Sequence, residues 1–216
     1  MDSYNKMHKY LTFVSLLFAS NINVAQTPKV VFNSLGLIAH DNKPIGTAFS
    51  VSPNRVVTAA HNLYNKINGQ LIDINTLSFT CLEPIKLVRF KILKLDTCYD
   101  FAVLEVEEGT ILNYLTKGSL RKVNKSEKVK YYGFDFKASE KFGIPQVTSY
   151  SSFIDQVNIR KKKACQVKQI QFRGRAYFGF SGGPILNSKN EVIGFISSGL
   201  LDDANTVIFG YPVPEF

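Results

Sequence analysis

The feature that most restricts the fold is a long succession of short apolar runs separated by turn-forming residues. In the first half the runs lie at 30–32, 35–39, 45–51, 55–58, 77–82, 85–95 and 101–106, and in the second half at 129–136, 144–153, 156–159, 165–172, 183–186, 192–197 and 206–213. The runs have the length and the β-branched or aromatic content of strands, and no long segment with a 3.6-residue period interrupts them. This pattern predicts an all-β barrel or sandwich.

A polar segment at 107–128 divides the runs into two groups. It predicts either a short helix or an extended link between two halves. The chain has 216 residues, of which 45% are hydrophobic and 20% are charged, and this suits one large or two small globular units. Its formal net charge of +9 favours anionic partners but carries no information about the fold.

Residues 1–25 have the pattern of a secretory signal peptide. Basic residues (Lys6, His8 and Lys9) precede an apolar stretch at 11–19 that is too short to span a bilayer. Cleavage near Ala25 predicts a mature chain that is secreted or periplasmic, whereas a buried N-terminal element of the fold is the alternative. No later run is long and apolar enough for a membrane helix.

Three cysteines follow the predicted cleavage site: Cys81, Cys98 and Cys165. An odd number does not make a complete disulfide framework. Cys81 and Cys98 can pair after export, and free buried thiols are the favoured alternative. No group of Cys and His residues has metal-ligand spacing, so no metal site is predicted.

The segment Gly179–Pro184 places a serine, Ser181, among three glycines. Glycines allow a tight turn with uncovered N–H groups. A serine on such a turn can attack a substrate carbonyl while the N–H groups of Gly179 and Ser181 bind the oxyanion. A glycine-rich hairpin with an incidental serine is the alternative, so the interpretation depends on whether the chain also supplies a base and a carboxylate.

His61 is the best candidate for the base. It follows a β-branched run that ends in two alanines, and such small residues let another segment approach the imidazole. A histidine in this context is more often structural than catalytic. Of the other two histidines, His8 lies in the predicted signal peptide and His40 lies in a polar, turn-like cluster.

A base for a serine needs a neutral imidazole that an acceptor holds in place. Asp100 is the candidate because it opens the apolar run at 101–104, where an aspartate is costly to bury unless it is paired. Asp96 is the weaker candidate, because Lys94 and Thr97 indicate an exposed loop around it.

Together these motifs resemble the trypsin-like serine protease superfamily. The matching stretches are Gly46-Thr-Ala-Phe, Val57-Thr-Ala-Ala-His, Asp100-Phe-Ala-Val-Leu and Gly179-Phe-Ser-Gly-Gly-Pro. Their order of His, Asp and Ser differs from that of subtilisins and α/β-hydrolases. Within the superfamily the chain is most similar to the bacterial type, such as HtrA-type protease domains and glutamyl endopeptidases, on the strands at 100–106 and 209–214.

The resemblance covers roughly residues 30–214 and implies two six-stranded antiparallel β-barrels with the active site in the cleft between them. Within a domain of residues 26–216, it implies an N-terminal barrel at about 29–106, a linker at about 107–128 and a C-terminal barrel at about 129–216.

The resemblance also implies roles for individual residues. Ser181 is the nucleophile, His61 the general acid–base and Asp100 its orienting carboxylate, with the N–H groups of Gly179 and Ser181 as the oxyanion hole. The segment Ser197-Ser198-Gly199 pairs with the substrate backbone, and Gly199 leaves the entrance to the specificity pocket open. Cleavage of a protein or peptide substrate then proceeds through an acyl-enzyme with no cofactor.

Two residues depart from the family pattern. Phe180 stands where zymogen-activated enzymes have an aspartate that pairs with a new N-terminus, and where bacterial relatives often have asparagine. Phenylalanine cannot make that ion pair, so it either packs beneath the oxyanion turn or biases the turn toward an inactive form. Ile196 stands where glutamyl endopeptidases typically carry a histidine, which weakens a glutamate-specific interpretation.

A basic stretch lies upstream of Ser181, with no acidic residue after Asp155. Its members are Arg160, Lys161, Lys162, Lys163, Lys168, Arg173 and Arg175. A solvated hairpin is the plainer interpretation. The sharper one is a cationic rim in which Arg173 and Arg175 favour acidic or anionic groups near the scissile bond. Nucleic-acid binding is less favoured, since no known module is present.

The sequence therefore predicts a secreted serine endopeptidase of undetermined oligomeric state. A catalytically silent binding protein with the same fold and an anion-binding surface protein are the alternatives.

Overall fold

The structure is a computed structural model that describes most of the chain beyond residue 28. The described residues are 29–65, 67–82, 85–107, 112–119, 123–142, 146–162, 165–200 and 206–213. The predicted signal peptide at 1–25 lies outside them. Within these ranges, no helix is both long and apolar enough to cross a bilayer.

The first half of the described chain contains a short helix followed by seven strands. The helix is α1 (Lys29–Asn33), and the strands are β1 (Leu35–His40), β2 (Lys43–Ser52), β3 (Arg55–Ala59), β4 (Leu77–Leu82), β5 (Ile85–Val88), β6 (Phe90–Asp96) and β7 (Phe101–Val106). The strand-like run predicted at 30–32 is wrong, because these residues form α1. That single turn buries Val31 and leaves Val30 exposed, and a three-residue apolar run does not distinguish the two structures.

The second half contains a helix and six strands. They are β8 (Lys128–Phe134), α2 (Phe136–Phe142), β9 (Val147–Lys162), β10 (Cys165–Gly174), β11 (Pro184–Leu186), β12 (Val192–Leu200) and β13 (Thr206–Pro212). Residues 147–153 of the run predicted at 144–153 and the whole run predicted at 156–159 lie in one strand, β9, whereas residues 144 and 145 lie outside the described residues. Strand β8 stops at Phe134 because Asp135 caps α2, accepting a hydrogen bond from the N–H of Ala138 at 2.9 Å.

The first seven strands form one antiparallel sheet in the order β5-β4-β1-β2-β3-β7-β6. Only Arg89 separates β5 from β6, although these two strands lie at opposite edges of that order. Because three consecutive residues span only about 7 Å, the sheet must curl until its edges approach each other. Lys91 and Lys94 on β6 are exposed while Phe90 is buried, as the predicted strand with one solvated face requires.

The other six strands form a closed antiparallel barrel in the order β10-β13-β12-β11-β8-β9. The predicted all-β class with two barrel-like halves is therefore confirmed. Among the described residues, the first half differs in detail from a six-stranded barrel, since it has seven strands in a curled open sheet.

Apolar side chains fill each half and also the contact between the halves. Phe79 and Leu104 belong to the core of the first half, and Phe172 belongs to that of the second. A further cluster joins residues of both halves, including Phe49 from β2 and Phe195 from β12. The two halves therefore share one continuous apolar interface.

Residues 112–119, the described middle of the predicted linker, contain no helix and are hydrogen-bonded to both halves. The N–H of Leu115 donates to the carbonyl of Ser50 in the first half at 2.9 Å. The N–H of Gly118 donates to the carbonyl of Val192 in the second half at 2.8 Å.

A disulfide between Cys98 and Cys165 joins the two halves directly. The two Cα atoms are 6.2 Å apart and the sequence separation is 67 residues. Both the predicted Cys81–Cys98 pair and the favoured alternative of free thiols are therefore wrong for Cys98. Cys81 lies buried within β4, outside this disulfide. The sequence could not show the pairing, because contact between residues 67 positions apart depends on how the halves dock.

Candidate active site

His61 is positioned by the end of strand β3. This strand pairs with β7 so that Ala59 lies opposite Phe101, and the N–H of Ala60 donates to the carbonyl of Asp100 at 2.9 Å. A 3-10 helix, Ala60–Leu63, then turns the chain. Both alanines are almost fully buried, and their small side chains let the two strands bring His61 against Asp100.

The carboxylate of Asp100 accepts three hydrogen bonds. Its Oδ1 accepts from the backbone N–H of His61 at 3.0 Å, and its Oδ2 lies 2.9 Å from Nδ1 of His61. The hydroxyl of Ser197 also donates to Oδ2. Asp100 itself has φ +52°, a left-handed conformation that aspartate tolerates better than most residues. Its backbone geometry and its three donors fix the carboxylate in one orientation.

The environment of Asp100 favours the ionised carboxylate. Burial alone raises the pKa of this carboxyl, but the His61 side chain, the Ser197 hydroxyl and the His61 backbone N–H together hold the pKa below its usual value. An ionised Asp100 requires a proton on Nδ1 of His61, which leaves Nε2 as the acceptor nitrogen of the neutral imidazole. This is the tautomer that a general base needs.

Ser181 reaches the first half through its backbone carbonyl. That carbonyl accepts from the N–H of Thr47 at 2.8 Å and from Nδ2 of Asn62 at 3.0 Å. Because Asn62 is the residue after His61, this hydrogen bond holds the turn that carries Ser181 close to His61. The Ser181 hydroxyl donates to the carbonyl of Ser197 at 3.4 Å. Among the described residues it makes no hydrogen bond to His61, and such bonds often tighten only when substrate is bound.

The turn around Ser181 directs two backbone N–H groups away from the hydrogen bonds that its carbonyls accept. The carbonyl of Phe178 accepts from the N–H of Phe136 at 3.1 Å, and the carbonyl of Phe180 accepts from the N–H of Gly183 at 2.9 Å. In a trans peptide the C=O and N–H groups point in opposite directions. The N–H groups of Gly179 and Ser181 therefore point away from these contacts. Gly179 has φ +107°, which explains the need for glycine there.

Phe180 packs beneath this turn. Its side chain is 1% exposed and lies among three tyrosine rings, with centroid distances of 6.3 Å to Tyr131, 6.1 Å to Tyr150 and 6.1 Å to Tyr177. Of the two arrangements that the sequence left open, the structure has the packed one.

The predicted substrate-binding residues occupy different environments. Ser197 is buried and its hydroxyl is committed to Asp100, a role that the sequence interpretation missed. Ser198 and Gly199 follow on the exposed part of β12. Arg175 is exposed, and its backbone is fixed by the phenol of Tyr131, which accepts from its N–H at 3.0 Å and donates to its carbonyl at 3.1 Å.

The described members of the basic stretch lie in different surroundings. Arg160 and Lys161 lie exposed at the end of β9, and Lys163 lies outside the described residues. Arg173 points toward Asp155, with 3.8 Å between Nε and Oδ2. Because Arg173 has an acidic partner, Arg175 is the better candidate of the two for contact with a substrate.

The fold and the site together define a hydrolase of the chymotrypsin-fold class. A family model for the trypsin-like peptidase domain matches residues 46–195. This match covers more than half of the chain, so the chain belongs to the trypsin-like peptidase family, and the predicted resemblance is confirmed. The family places the chain among the proteases, with protein or peptide as the class of substrate. No curated protein sequence matches the chain significantly.

Solved structures of bacterial proteases share this fold. The active form of the Rv3671c protease from M. tuberculosis is 21% identical with a TM-score of 0.66, over 84% of this chain and 77% of that chain. Its inactive form is 20% identical with a TM-score of 0.64, over 88% and 86%. The apo MamO protease domain from Magnetospirillum magneticum is 13% identical with a TM-score of 0.62, over 85% and 94%. At these identities the similarity establishes the fold alone.

Proposed function

We propose that this protein is a serine endopeptidase that cleaves peptide bonds through an acyl-enzyme. The observation that carries the proposal is the carboxylate of Asp100, which is buried and bonded to Nδ1 of His61 at 2.9 Å. Ser181 is tied through its carbonyl to Asn62, the neighbour of that histidine. A structural histidine has no need of a buried carboxylate on one nitrogen, an open second nitrogen and a serine turn beside it.

In the proposed reaction, Nε2 of His61 accepts the hydroxyl proton of Ser181 while Oγ attacks the scissile carbonyl carbon. The N–H groups of Gly179 and Ser181 stabilise the oxyanion, and each such donor contributes about 3–4 kcal/mol in the transition state. The imidazolium then gives its proton to the leaving amine as the C–N bond breaks. Water, deprotonated by His61, attacks the ester, and Ser181 recovers its proton.

We extend the proposal to a preference for acidic groups near the scissile bond. Arg175 is exposed three residues before the exposed Phe178 and the oxyanion turn, and among the described residues its guanidinium has no ion-pair partner. Cleavage profiling on a peptide library is expected to show enrichment of Asp or Glu that Arg175→Gln removes. Arg173→Gln is the matched control. It removes the same charge from the same segment, but the Arg173 side chain lies against Asp155. A strong preference for Lys or Arg directly before the cut contradicts this extension.

An activity-based fluorophosphonate probe tests the main proposal. Wild-type protein is expected to be labelled at Ser181, and the Ser181→Ala and His61→Ala variants are expected to lose labelling. His40→Ala is the matched control, since His40 lies at the end of β1 beside Asp41 rather than at the site. If correctly folded wild type is not labelled, the proposed endopeptidase activity is contradicted. The remaining interpretation is then a catalytically silent binding protein, which the family membership does not favour.

We also propose that the chain is exported and loses residues 1–25. The disulfide between Cys98 and Cys165 supports this, because such bonds persist mainly in oxidising compartments. Mass spectrometry of the protein recovered from its native host is expected to find an N-terminus near residue 26. An intact N-terminus in the cytosolic fraction contradicts the proposal.

A further inference from the structure

The oxyanion turn has two attachments that do not involve the chain's N-terminus. Donors that stabilise an oxyanion must be held in place before the substrate arrives, since their value depends on preorganisation. In this protein one attachment comes from Thr47 on β2 of the first half. The other comes from Phe180 within the second half.

Thr47 contacts both sides of the turn and is fully buried. Its hydroxyl donates to the carbonyl of Gly179 at 2.5 Å and accepts from the N–H of Phe134 at 3.0 Å. Its backbone N–H donates to the carbonyl of Ser181 at 2.8 Å. One residue therefore holds the peptide plane that follows Gly179 and the peptide plane that follows Ser181. Rotation of either plane would leave a buried polar group without a partner.

Thr47 is itself held from the opposite side. Its carbonyl accepts from the hydroxyl of Thr58 at 2.7 Å, and the same hydroxyl accepts from Nδ2 of Asn62 at 3.0 Å. Asn62 closes the network by donating to the carbonyl of Ser181. The first half thus presents a connected set of hydrogen bonds that reaches the turn at the carbonyls of Gly179 and Ser181.

Phe180 holds the turn through packing. Its ring is stacked on Tyr150, with an interplanar angle of 24°, and meets Tyr131 and Tyr177 edge to face. Strand β8 makes room for it at Gly133, where an added Cβ would lie 2.6 Å from Cγ of Phe180. The ring therefore has one well-defined position, and this position determines where the backbone on either side of it lies.

We propose that Thr47 and Phe180 are positioning residues that hold the oxyanion turn in its functional form in place of an ion pair with a new N-terminus. The proposal rests on the proposed serine protease function and adds how its site is assembled. Neither attachment requires a charged terminus, so the site is formed without proteolytic activation.

Rates of fluorophosphonate labelling, together with kcat and KM on a peptide substrate, test this proposal. Thr47→Val removes the hydroxyl and leaves the Gly179 carbonyl and the Phe134 N–H without their partner. We expect labelling and kcat to fall by about 10- to 100-fold with little change in KM, as for a misplaced catalytic geometry. Thr47→Ser keeps the hydroxyl and is expected to restore most of the rate. Thr80→Val on β4 is the matched control.

Phe180→Leu carries the test if Thr47→Val does not fold, because it keeps an apolar side chain and every backbone hydrogen bond of the turn. We expect a loss of at least about tenfold in kcat through the displaced oxyanion donors. Phe153→Leu, at an exposed aromatic position in the same barrel, is the control. Full-length protein with its N-terminus blocked is expected to be labelled as fast as the processed form.

The outcomes separate this inference from the proposed function. Absence of labelling in folded wild type overturns the function. If wild type is labelled and Thr47→Val or Phe180→Leu is labelled at the same rate, the inference is overturned and the proposed function stands. A requirement for a new N-terminus overturns it as well.

Discussion

The two halves of the molecule hold their parts of the site by different means. In the first half, His61 follows the end of β3 and Asp100 precedes the start of β7, and the register of these paired strands, with Ala59 opposite Phe101, sets their separation. In the second half, Ser181 lies on a loop that no strand ladder holds. Its position depends on glycine conformations, on the packing of Phe180 and on hydrogen bonds from Thr47 in the other half.

The difference shows how one site can combine local and long-range control. The base and the carboxylate are positioned within one sheet, so short segments of sequence contain most of the information. The nucleophile turn is positioned only after the two halves have docked. Changes to the base or the carboxylate should therefore reduce the rate far more than the stability, whereas changes at the contact between the halves should reduce both.

The largest effect is expected from Asp100→Asn. An asparagine amide offers N–H to Nδ1 of His61 and thereby favours the wrong tautomer, so kcat should fall on the order of 10⁴-fold with the fold intact. Asp96→Asn is the control, since Asp96 accepts from the N–H groups of Cys98 and Tyr99 in a turn. Steady-state kinetics on a peptide substrate provide the measurement, and a loss below about tenfold would argue against an orienting role for Asp100.

Removing the covalent link between the halves is the next test. Replacing Cys98 and Cys165 by serine opens a loop of 67 residues and should lower the free energy of unfolding by about 3–4 kcal/mol. Cys81→Ala keeps the link and should cost about 1 kcal/mol. Denaturant unfolding measures both. An unchanged midpoint in the double variant would mean that the non-covalent contacts between the halves are sufficient to keep them together.

Two glycines with positive φ separate the effect of docking from that of backbone strain. At Gly182, with φ +86°, an added methyl group would overlap the Thr47 carbonyl and the Thr58 hydroxyl, so Gly182→Ala should cost about 2–3 kcal/mol. At Gly69, with φ +66°, nothing lies within 4 Å, and Gly69→Ala should cost about 1 kcal/mol. If Gly182→Ala and Gly69→Ala lose the same unfolding free energy, the turn at Gly182 can shift away from the first half and relieve the overlap.

The smallest effect concerns acid stability. The pKa of Asp100 is lowered in the folded state, so its ionisation stabilises the fold above the ordinary aspartate pKa of about 4 and this contribution is lost as pH falls through the folded value. The denaturation midpoint of wild type should therefore fall more between about pH 6 and about pH 3 than that of Asp100→Asn. Parallel pH profiles would show that Asp100 is not stabilised as an anion.

Much of the fold and part of the site can be predicted from the sequence because the signals are local. A buried strand needs an apolar run, and Asp100 stands out because it opens one. Ser181 stands out because glycine clusters are needed for turns with positive φ. The local rules fail where one pattern fits two structures. The run at 85–95 contains two strands at opposite edges of one sheet, and residues 30–32 form a helix.

Contacts between residues that are distant in sequence could not be predicted from local patterns. The family resemblance implies that the backbone at Ser197 pairs with substrate, but it gives no indication that the Ser197 hydroxyl is bonded to Asp100, 97 residues earlier. In the sequence Thr47 stands out only as part of a family motif, and its contact with Gly179 spans 132 residues. No local pattern marks such a pair, since a serine or threonine in a strand is equally compatible with a solvent-facing hydroxyl.

The sequence by itself determined the all-β class, the two-part organisation of the chain and the identity of the candidate base, carboxylate and nucleophile. The class follows from strand periodicity, and the candidate residues follow from turn chemistry and the cost of burying a charge, which act over a few residues; the roles of these residues come from the family resemblance of the motifs that contain them. The tertiary structure alone decided the Cys98–Cys165 bond, the partners of Asp100 and the packing of Phe180. The Cys98–Cys165 bond and the contact of Ser197 with Asp100 arise from the docking of two separately hydrogen-bonded sheets. The packing of Phe180 arises from the closure of the second barrel, which brings Tyr131, Tyr150 and Tyr177 around its ring.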